Sequence, residues 1–412
     1  MKYSHRSRSI GRREFLKNGA LAGIGLGLAL ADPASASVSR SPQVRRYSPL
    51  GRTGMHISDI SFGSDRLSLG QEDLVHHALD RGINYFDTAD DYRGGESETT
   101  LGKALHGKRN DVFIASKSTA WPETKKDAIM QALEGSLRRL QTDHVDVYFN
   151  HAVNDLARLK NPEWYEFAET AKKQGKLRFT GMSGHAGNLV QCLDYAIDSG
   201  HCDVILCAYN FGQDPRFYQR FLSDLDIIAR QPDVPRVVEK AKRRGVGVVV
   251  MKTLMGARLN DMRPYERDGA TFSQAAFRWV LSNHNVDGLI VSMTTRDAID
   301  EYLGASGSRT AHEQDLPLLR RYAQIHGASY CKHACNACEG ACPADVAIAD
   351  VMRTRMYALD YGDLRMARDE YSTIASNAEA CLSCTAKPCA DACPHGLRID
   401  ALTAPTHRLL SA

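Results

Sequence analysis

No long hydrophobic run occurs in this chain. The apolar stretch Ala20 to Leu30 (ALAGIGLGLAL) has eleven residues, whereas a membrane-crossing helix needs ~20. No other segment is long and apolar enough to span. No GxGxxG loop follows the first predicted strand, which tells against an open, doubly wound dinucleotide sheet. Short-period repeats and low-complexity tracts are also missing, so solenoid and fibrous architectures are set aside. Nor does charge of one sign dominate. The 412 residues carry 52 Lys and Arg against 49 Asp and Glu, a formal +3. Residues 1–36 hold six of those bases and two of the acids, so the remainder is close to neutral. That balance points to no nucleic-acid partner and no polybasic membrane patch.

Cysteine, by contrast, is concentrated at one end. Eight of the eleven cysteines lie in the last 82 residues, in two runs: Cys331-x3-Cys335-x2-Cys338-x3-Cys342-Pro343 and Cys381-x2-Cys384-x4-Cys389-x3-Cys393-Pro394. Thiolates are soft ligands that suit iron–sulfur clusters and zinc. Zinc ribbons use paired C-x2-C knuckles, so one zinc per run is an alternative, and disulfides are another in an exported chain. Tandem runs that each close with C-x3-C-P resemble bacterial two-cluster ferredoxins, with one looser gap in each run. There the fourth cysteine of a run serves the other cluster. The resemblance implies two 4Fe-4S clusters. One would take Cys331, Cys335, Cys338 and Cys393, and the other Cys381, Cys384, Cys389 and Cys342.

The N-terminus has the order charged segment, apolar segment, cleavage site. Arg12-Arg13 is followed by Phe15, Leu16 and Lys17, then by the apolar stretch, then by Ala34-Ser35-Ala36. This is similar to a twin-arginine signal peptide over residues 1–36. It implies export of the folded protein to the periplasm by the twin-arginine machinery, or anchoring there if the signal is not cleaved. A cluster must be inserted before such export, so the two ends of the chain agree.

Between them, β-rich runs alternate with amphipathic helical patterns. The strand candidates are Ile60–Gly63, Asn84–Thr88, Val112–Ser116, Val145–Asn150, Leu177–Met182, Val204–Tyr209, Val246–Met251 and Gly288–Val291. Helical patterns such as Thr124–Leu140, Pro162–Gln174 and Phe272–Ser282 separate them, and Gly82, Gly175, Gly200 and Gly245 stand where helices end. Eight such units predict an α/β fold, a closed (β/α)8 TIM barrel over residues 45–305. A linker over 306–328, marked by Pro317, would lead to a small, mostly helical, ferredoxin-like iron–sulfur domain over 329–402.

Active sites of such barrels lie at the C-terminal ends of the strands. Those positions here hold Asp87, Tyr92, Lys117 and His151. Each alone has a plain structural role: helix cap, loop aromatic, strand-end charge, packed imidazole. The segments YSPLGRTGMHISDISFG, FDTADDYRGGESETTLGKAL, FIASK and VDVYFNH together resemble an aldo-keto reductase over roughly residues 46–305. GMSGHAG (181–187) is similar to the branch with a C-terminal ferredoxin-like domain. The resemblance implies an oxidoreductase that interconverts a carbonyl and an alcohol. Tyr92 would be the general acid, Lys117 the cation lowering its pKa, Asp87 the partner of Lys117, and His151 the group orienting the carbonyl.

The dinucleotide side departs from the family. Ser183-Gly184-His185 stands where Ser-Asn is usual, Leu206 where Gln is usual, and Met251-Lys252-Thr253-Leu254 where Tyr-Ser is common. Ser183 and Asn210 remain candidates for the carboxamide, Lys252 for a cofactor contact, and Ser292 and Arg296 for a 2′-phosphate. NAD(P), tightly bound, is one reading of the second cofactor, and use of the clusters as the electron outlet is another. An external redox carrier is an expected partner, beside a small-molecule carbonyl or alcohol substrate. The alternative is a degenerate barrel that serves electron transfer or binding without NAD(P)H turnover. Of the remaining features, Cys192, Cys202 and Cys207 read as buried free thiols, Trp121 as a pocket wall, and His76-His77 as a solvated helix face.

Overall fold

The computed structural model describes residues 42–212, 233–255, 262–266, 271–326, 331–332, 335–359 and 363–412. The signal expected over 1–36 lies outside them. The chain opens with a hairpin, β1 (Tyr47–Pro49) and β2 (His56–Ser58). Strand and helix then alternate: β3 (Ile60–Gly63), α1 (Glu72–Asp80), β4 (Tyr85–Asp87), α2 (Glu96–Ala104), β5 (Phe113–Ser118), α3 (Lys126–Leu140) and β6 (Val145–Asn150). Next come α4 (Leu156–Leu159), α5 (Pro162–Lys173), β7 (Leu177–Gly184), α6 (Leu189–Asp198), β8 (Val204–Ala208), α7 (Asp233–Arg243), β9 (Gly247–Met251), α8 (Phe272–Leu281), β10 (Gly288–Ser292) and α9 (Arg296–Leu303). Strands β3 to β10 pair in parallel and close into an eight-stranded barrel, with β10 returning to β3. All eight were legible as apolar runs because strands covered on both faces lose polar alternation.

Two layers hold the barrel. Inside it, Tyr85, Ala115, Val147, Phe149, Val204, Leu206, Val249 and Ile290 pack together. Between strands and helices lies a second core that contains Cys207, so its thiol faces the helices. Helix α3 shows why such helices form: Ile129, Leu133, Leu137 and Leu140 recur on one side and are buried, while its other face is polar. Helix α5 begins at Asn161, whose side chain accepts from the Glu163 N–H, with Pro162 in the first turn.

The hairpin was not foreseen from sequence, since three-residue strands carry little periodicity. It stoppers the barrel's N-terminal end, where Leu50, Met55 and Ile57 join the interior core. Gly51 makes that fit. Its φ is +51°, and a Cβ there would lie 2.3 Å from the backbone nitrogen of Gly247.

The connector expected over 306–328 contains a helix, α10 (Asp315–His326). Pro317 sits in its first turn, where a missing N–H is tolerated. The helix packs against α8, and Asp315 pairs with Arg278 (2.5 Å) with both side chains buried. Beyond it lie α11 (Ile348–Leu359), α12 (Leu364–Ser372), α13 (Cys389–Ala392) and α14 (Ile399–Leu410). The last of these runs past the expected boundary at 402. Among the described residues, no helix is long and apolar enough to cross a membrane.

Candidate active site

The C-terminal strand ends bring Asp87, Tyr92, Lys117 and His151 together. Lys117 is 1 % exposed and extends from β5 into the barrel mouth. Its Nζ donates to Asp87 Oδ1 (2.7 Å), to the Thr88 carbonyl (2.6 Å) and to the Tyr92 hydroxyl (3.2 Å). Tyr92 follows β4 in a tight turn in which Arg93, Gly94 and Gly95 all have positive φ. This turn carries the phenol back over Lys117. The His151 ring stands edge-on to Tyr92, with centroids 5.7 Å apart.

The charges of the group follow from burial. Burial raises the Asp87 carboxyl to about 6 against the pull of Lys117. Burial and then the Asp87, Asp65 and Asp91 carboxylates raise the Tyr92 phenol well above its ordinary value. Lys117 faces the phenol as expected, while burial first and then these carboxylates set the direction of the net shift. Burial, and then Lys117, lowers His151 to about 3, so its imidazole is neutral at ordinary pH. Its Nδ1 is buried without a hydrogen bond, 3.6 Å from Asp91 Oδ2. The arrangement offers a protonated phenol backed by an ammonium, beside a neutral imidazole.

The dinucleotide candidates are placed less favourably. Asp87, Tyr92, Lys252 and Ser292 share one cavity of about 80 Å³, whose wall includes Met366 from α12. Ser183, Asn210 and Arg296 do not line it. Ser183 Oγ accepts from the Ala152 N–H (2.9 Å). Asn210 donates to the Lys252 carbonyl (3.1 Å) and accepts from the Gly212 N–H (3.0 Å). Ser292 donates to Asp65, a carboxylate on the side where a phosphate would sit. Arg296 is exposed at the start of α9 and pairs with Asp73 (3.2 Å). The set fits a dinucleotide in part: an outer cation is present, while Ser183 and Asn210 already serve the backbone.

The partners of Lys252 at the mouth gave no signal in the sequence. Lys252, with φ +59°, reaches the Tyr357 hydroxyl (3.3 Å) and lies over its ring at 4.5 Å. The same hydroxyl lies 3.3 Å from His185 Nε2. Tyr357, Met366, Arg353 and Glu370 all come from α11 and α12, and only the tertiary fold brings them to the barrel. Trp121 lines a cleft beside His151, as expected. His76 and His77 are more than a solvated face, since they contact the Ala104 carbonyl (3.1 Å) and Asp300 (2.8 Å).

None of the cysteines is in a disulfide. The eight C-terminal thiols fall into two groups. Burial, then Cys335, Cys338 and Cys393, pushes the Cys331 thiol up, and Cys338 is raised to about 12 by burial, Cys393 and Cys335. Cys381 and Cys389 are likewise raised by burial and then by neighbours that include Cys342 and Cys384. Each group thus contains the last cysteine of the other run. Among the described residues, no three His, Cys, Asp or Glu converge as ligands of a single metal ion. In a four-iron cube each iron takes its own thiolate, so the four ligands need not converge on one point.

The model of the aldo/keto reductase family matches residues 70–321, more than half of the chain, and leaves everything from residue 322 outside. YqkF of Bacillus subtilis, an uncharacterized oxidoreductase, is 24% identical over 308 residues, covering 68% of this chain and 97% of its own. L-galactose dehydrogenase of Arabidopsis thaliana is 25% identical over 292 residues, covering 62% and 86%. The holo form of aldo-keto reductase AKR11C1 from Bacillus halodurans shares the fold, with a TM-score of 0.52 and 23% identity over 67% of this chain and 95% of its own. The chain belongs to the aldo/keto reductase family and is an oxidoreductase acting on carbonyl or alcohol groups.

Proposed function

We propose that this member of the aldo/keto reductase family interconverts a carbonyl and an alcohol at Tyr92, in a protein exported to the periplasm with two 4Fe-4S clusters. The observation that carries the catalytic reading is the buried link Asp87–Lys117–Tyr92. In reduction, hydride reaches the carbonyl carbon while Tyr92 gives its proton to the oxygen. Lys117 remains protonated and donates to the phenolate that forms, and Asp87 holds Lys117 in place. Neutral His151 donates a hydrogen bond to the carbonyl oxygen and fixes its approach. Oxidation of an alcohol runs the same groups backwards. A bound NAD(P), with Lys252 and Ser292 of the Tyr92 cavity as its contacts and Arg296 as the outer cation toward its phosphate, would supply the hydride.

The C-terminal reading rests on the two groups of thiols, each drawn from both runs. Cys331, Cys335, Cys338 and Cys393 would hold one cluster, and Cys342, Cys381, Cys384 and Cys389 the other. Such clusters would supply single-electron transfer to an external carrier. Export rests on the twin-arginine segment. A second reading, a barrel retained for binding or electron transfer, is favoured by one observation: α11 and α12 reach the mouth, Met366 lining the Tyr92 cavity and Tyr357 accepting from Lys252.

Tyr92→Phe separates the two. Catalysis at Tyr92 requires turnover to fall by about 10²–10⁴-fold with unchanged visible absorbance. Retained turnover would overturn the assignment. Iron, sulfide and nucleotide released from the same anaerobic preparation decide between bound dinucleotide and clusters alone.

A further inference from the structure

The two groups of thiols differ in what surrounds them. The first, Cys331, Cys335, Cys338 and Cys393, lies against the barrel. Asn336 stands inside that run, and its Nδ2 donates to Asn188 Oδ1 (2.9 Å), in the loop between β7 and α6. Gly187 lets the two segments meet, since a Cβ there would lie 2.9 Å from the Asn336 Cβ. Cys335 and Cys338 are buried, whereas Cys342, Cys381, Cys384 and Cys389 of the second group are all half-buried. We propose that Lys332 and His395 hold a cluster on the first group at a higher reduction potential than one on the second, so that a single electron shared by the two rests on the cluster beside the barrel. The proposal goes beyond the two-cluster reading and rests on it.

A buried charge and a hydrogen bond set the first group apart. Lys332 follows Cys331 directly and is only 4 % exposed. A lysine is rarely so buried without anions around it. The charges that reach it are those of the Cys331, Cys393 and Cys335 sulfurs. His395 belongs to the other run, two residues past Cys393, and its Nε2 lies 3.7 Å from Cys335 Sγ. Burial, then Lys332, keeps its ring neutral, and with the proton on Nε2 it donates to the sulfur. Around the second group, burial and other thiols act on Cys381 and Cys389, and Cys381 meets the uncharged Thr403 hydroxyl. Lys387 stands on that loop, but it is exposed and lies 4.0 Å from Asp400.

The sign follows from charge. A cube held by four thiolates is anionic and becomes more so when it accepts an electron. A cation or a donor aimed at its sulfurs favours the reduced state and raises the potential. Lys332 acts where water screens little, so it outweighs the half-buried Glu339 carboxylate that opposes it near Cys338. Water at the second group also favours reduction, but as mobile dipoles rather than a fixed unit charge. The exchange is one electron: the second cluster is oxidised, the first is reduced, and no proton or bond moves.

The test is an anaerobic, dye-mediated redox titration of the full-length, cluster-replete protein with dithionite as reductant, followed by electron paramagnetic resonance. Cys384→Ser identifies the signal of the second cluster by its loss. The signal that remains should titrate at the higher potential. Lys332→Met should lower that potential by at least about 59 mV, a tenfold change in the one-electron equilibrium, and leave the second signal where it was. Lys332→Arg, which keeps the charge, should restore most of the wild-type value. His395→Phe should shift the same equilibrium by about threefold, and it decides the matter where Lys332→Met does not hold its cluster. A first signal that titrates at or below the second, or one unmoved by both variants, overturns the proposal. Protein that binds no iron defeats the two-cluster reading instead, whereas full iron with equal potentials defeats this proposal alone.

Discussion

Lys117 Nζ lies 2.7 Å from Asp87 Oδ1, and the two side chains are 1 % and 2 % exposed. Water is excluded from the pair, so Asp87 titrates at about 6. Activity should fall as pH drops through about 6, because a protonated Asp87 no longer holds Lys117 under the phenol. Asp87→Asn should lower kcat/KM by about 100-fold and flatten that acid limb. The stability contribution has the opposite sign. A carboxyl raised in the folded state favours folding fully below the ordinary carboxylate pKa, and that contribution is lost as pH rises through about 6. A pH–rate profile of the variant that keeps the wild-type limb would show that another group sets it.

His151 gives the mirror case for stability. An exposed imidazole titrates near 6.5, but burial and Lys117 lower this one to about 3. Between those values the unfolded chain binds a proton that the folded chain refuses. Stability is thus fully present above 6.5 and lost as pH falls toward 3. His151→Gln should therefore move the acid-unfolding midpoint, followed by circular dichroism, to lower pH. A midpoint at the wild-type pH or higher contradicts this account.

Asp315→Ala should destabilise the protein by about 3–5 kcal/mol, since it leaves the Arg278 guanidinium buried and unpaired. Denaturant titration measures the loss. The double variant Arg278→Met, Asp315→Leu should recover much of it, because an apolar pair needs no counter-charge. Failure of the double variant to recover would mean that α10 depends on hydrogen bonds of Asp315 besides this pair, such as the one from the His312 N–H (3.0 Å).

Cys342→Ser tests how the two thiol runs are shared. The ferredoxin resemblance places Cys342 with Cys381, Cys384 and Cys389, and burial, then neighbours that include Cys342, raise the Cys381 and Cys389 thiols. On the proposed two-cluster reading, electron paramagnetic resonance of the reduced protein should lose the signal that Cys384→Ser also loses, together with about half the iron. Loss of the signal that depends on Cys335 instead would reverse the sharing.

Much of the barrel was legible in the sequence because its signals are local. Apolar runs mark doubly covered strands, glycines with positive φ end the helices before β4, β7, β8 and β9, and the reacting side chains stand at strand ends. What was illegible is tertiary. Tyr357 and Met366 lie on helices between cysteine runs, with nothing in their neighbours to place them at the mouth. Asp65 sits one residue beyond the serine that follows β3, and only the fold sets it against Ser292. The surroundings of the phenol divide the same way, since the spacing showed its cation, Lys117, but not the Asp65 carboxylate near it.

The roof over the mouth also has a place in time. Strand β10 ends at Ser292, whereas the helices that bear Tyr357 and Met366 begin at Ile348 and Leu364. Synthesis proceeds from the N-terminus, so the barrel's sequence is complete while its mouth is still uncovered. The side chains of α11 and α12 that line the two clefts at the mouth are therefore the last part of the site to be made.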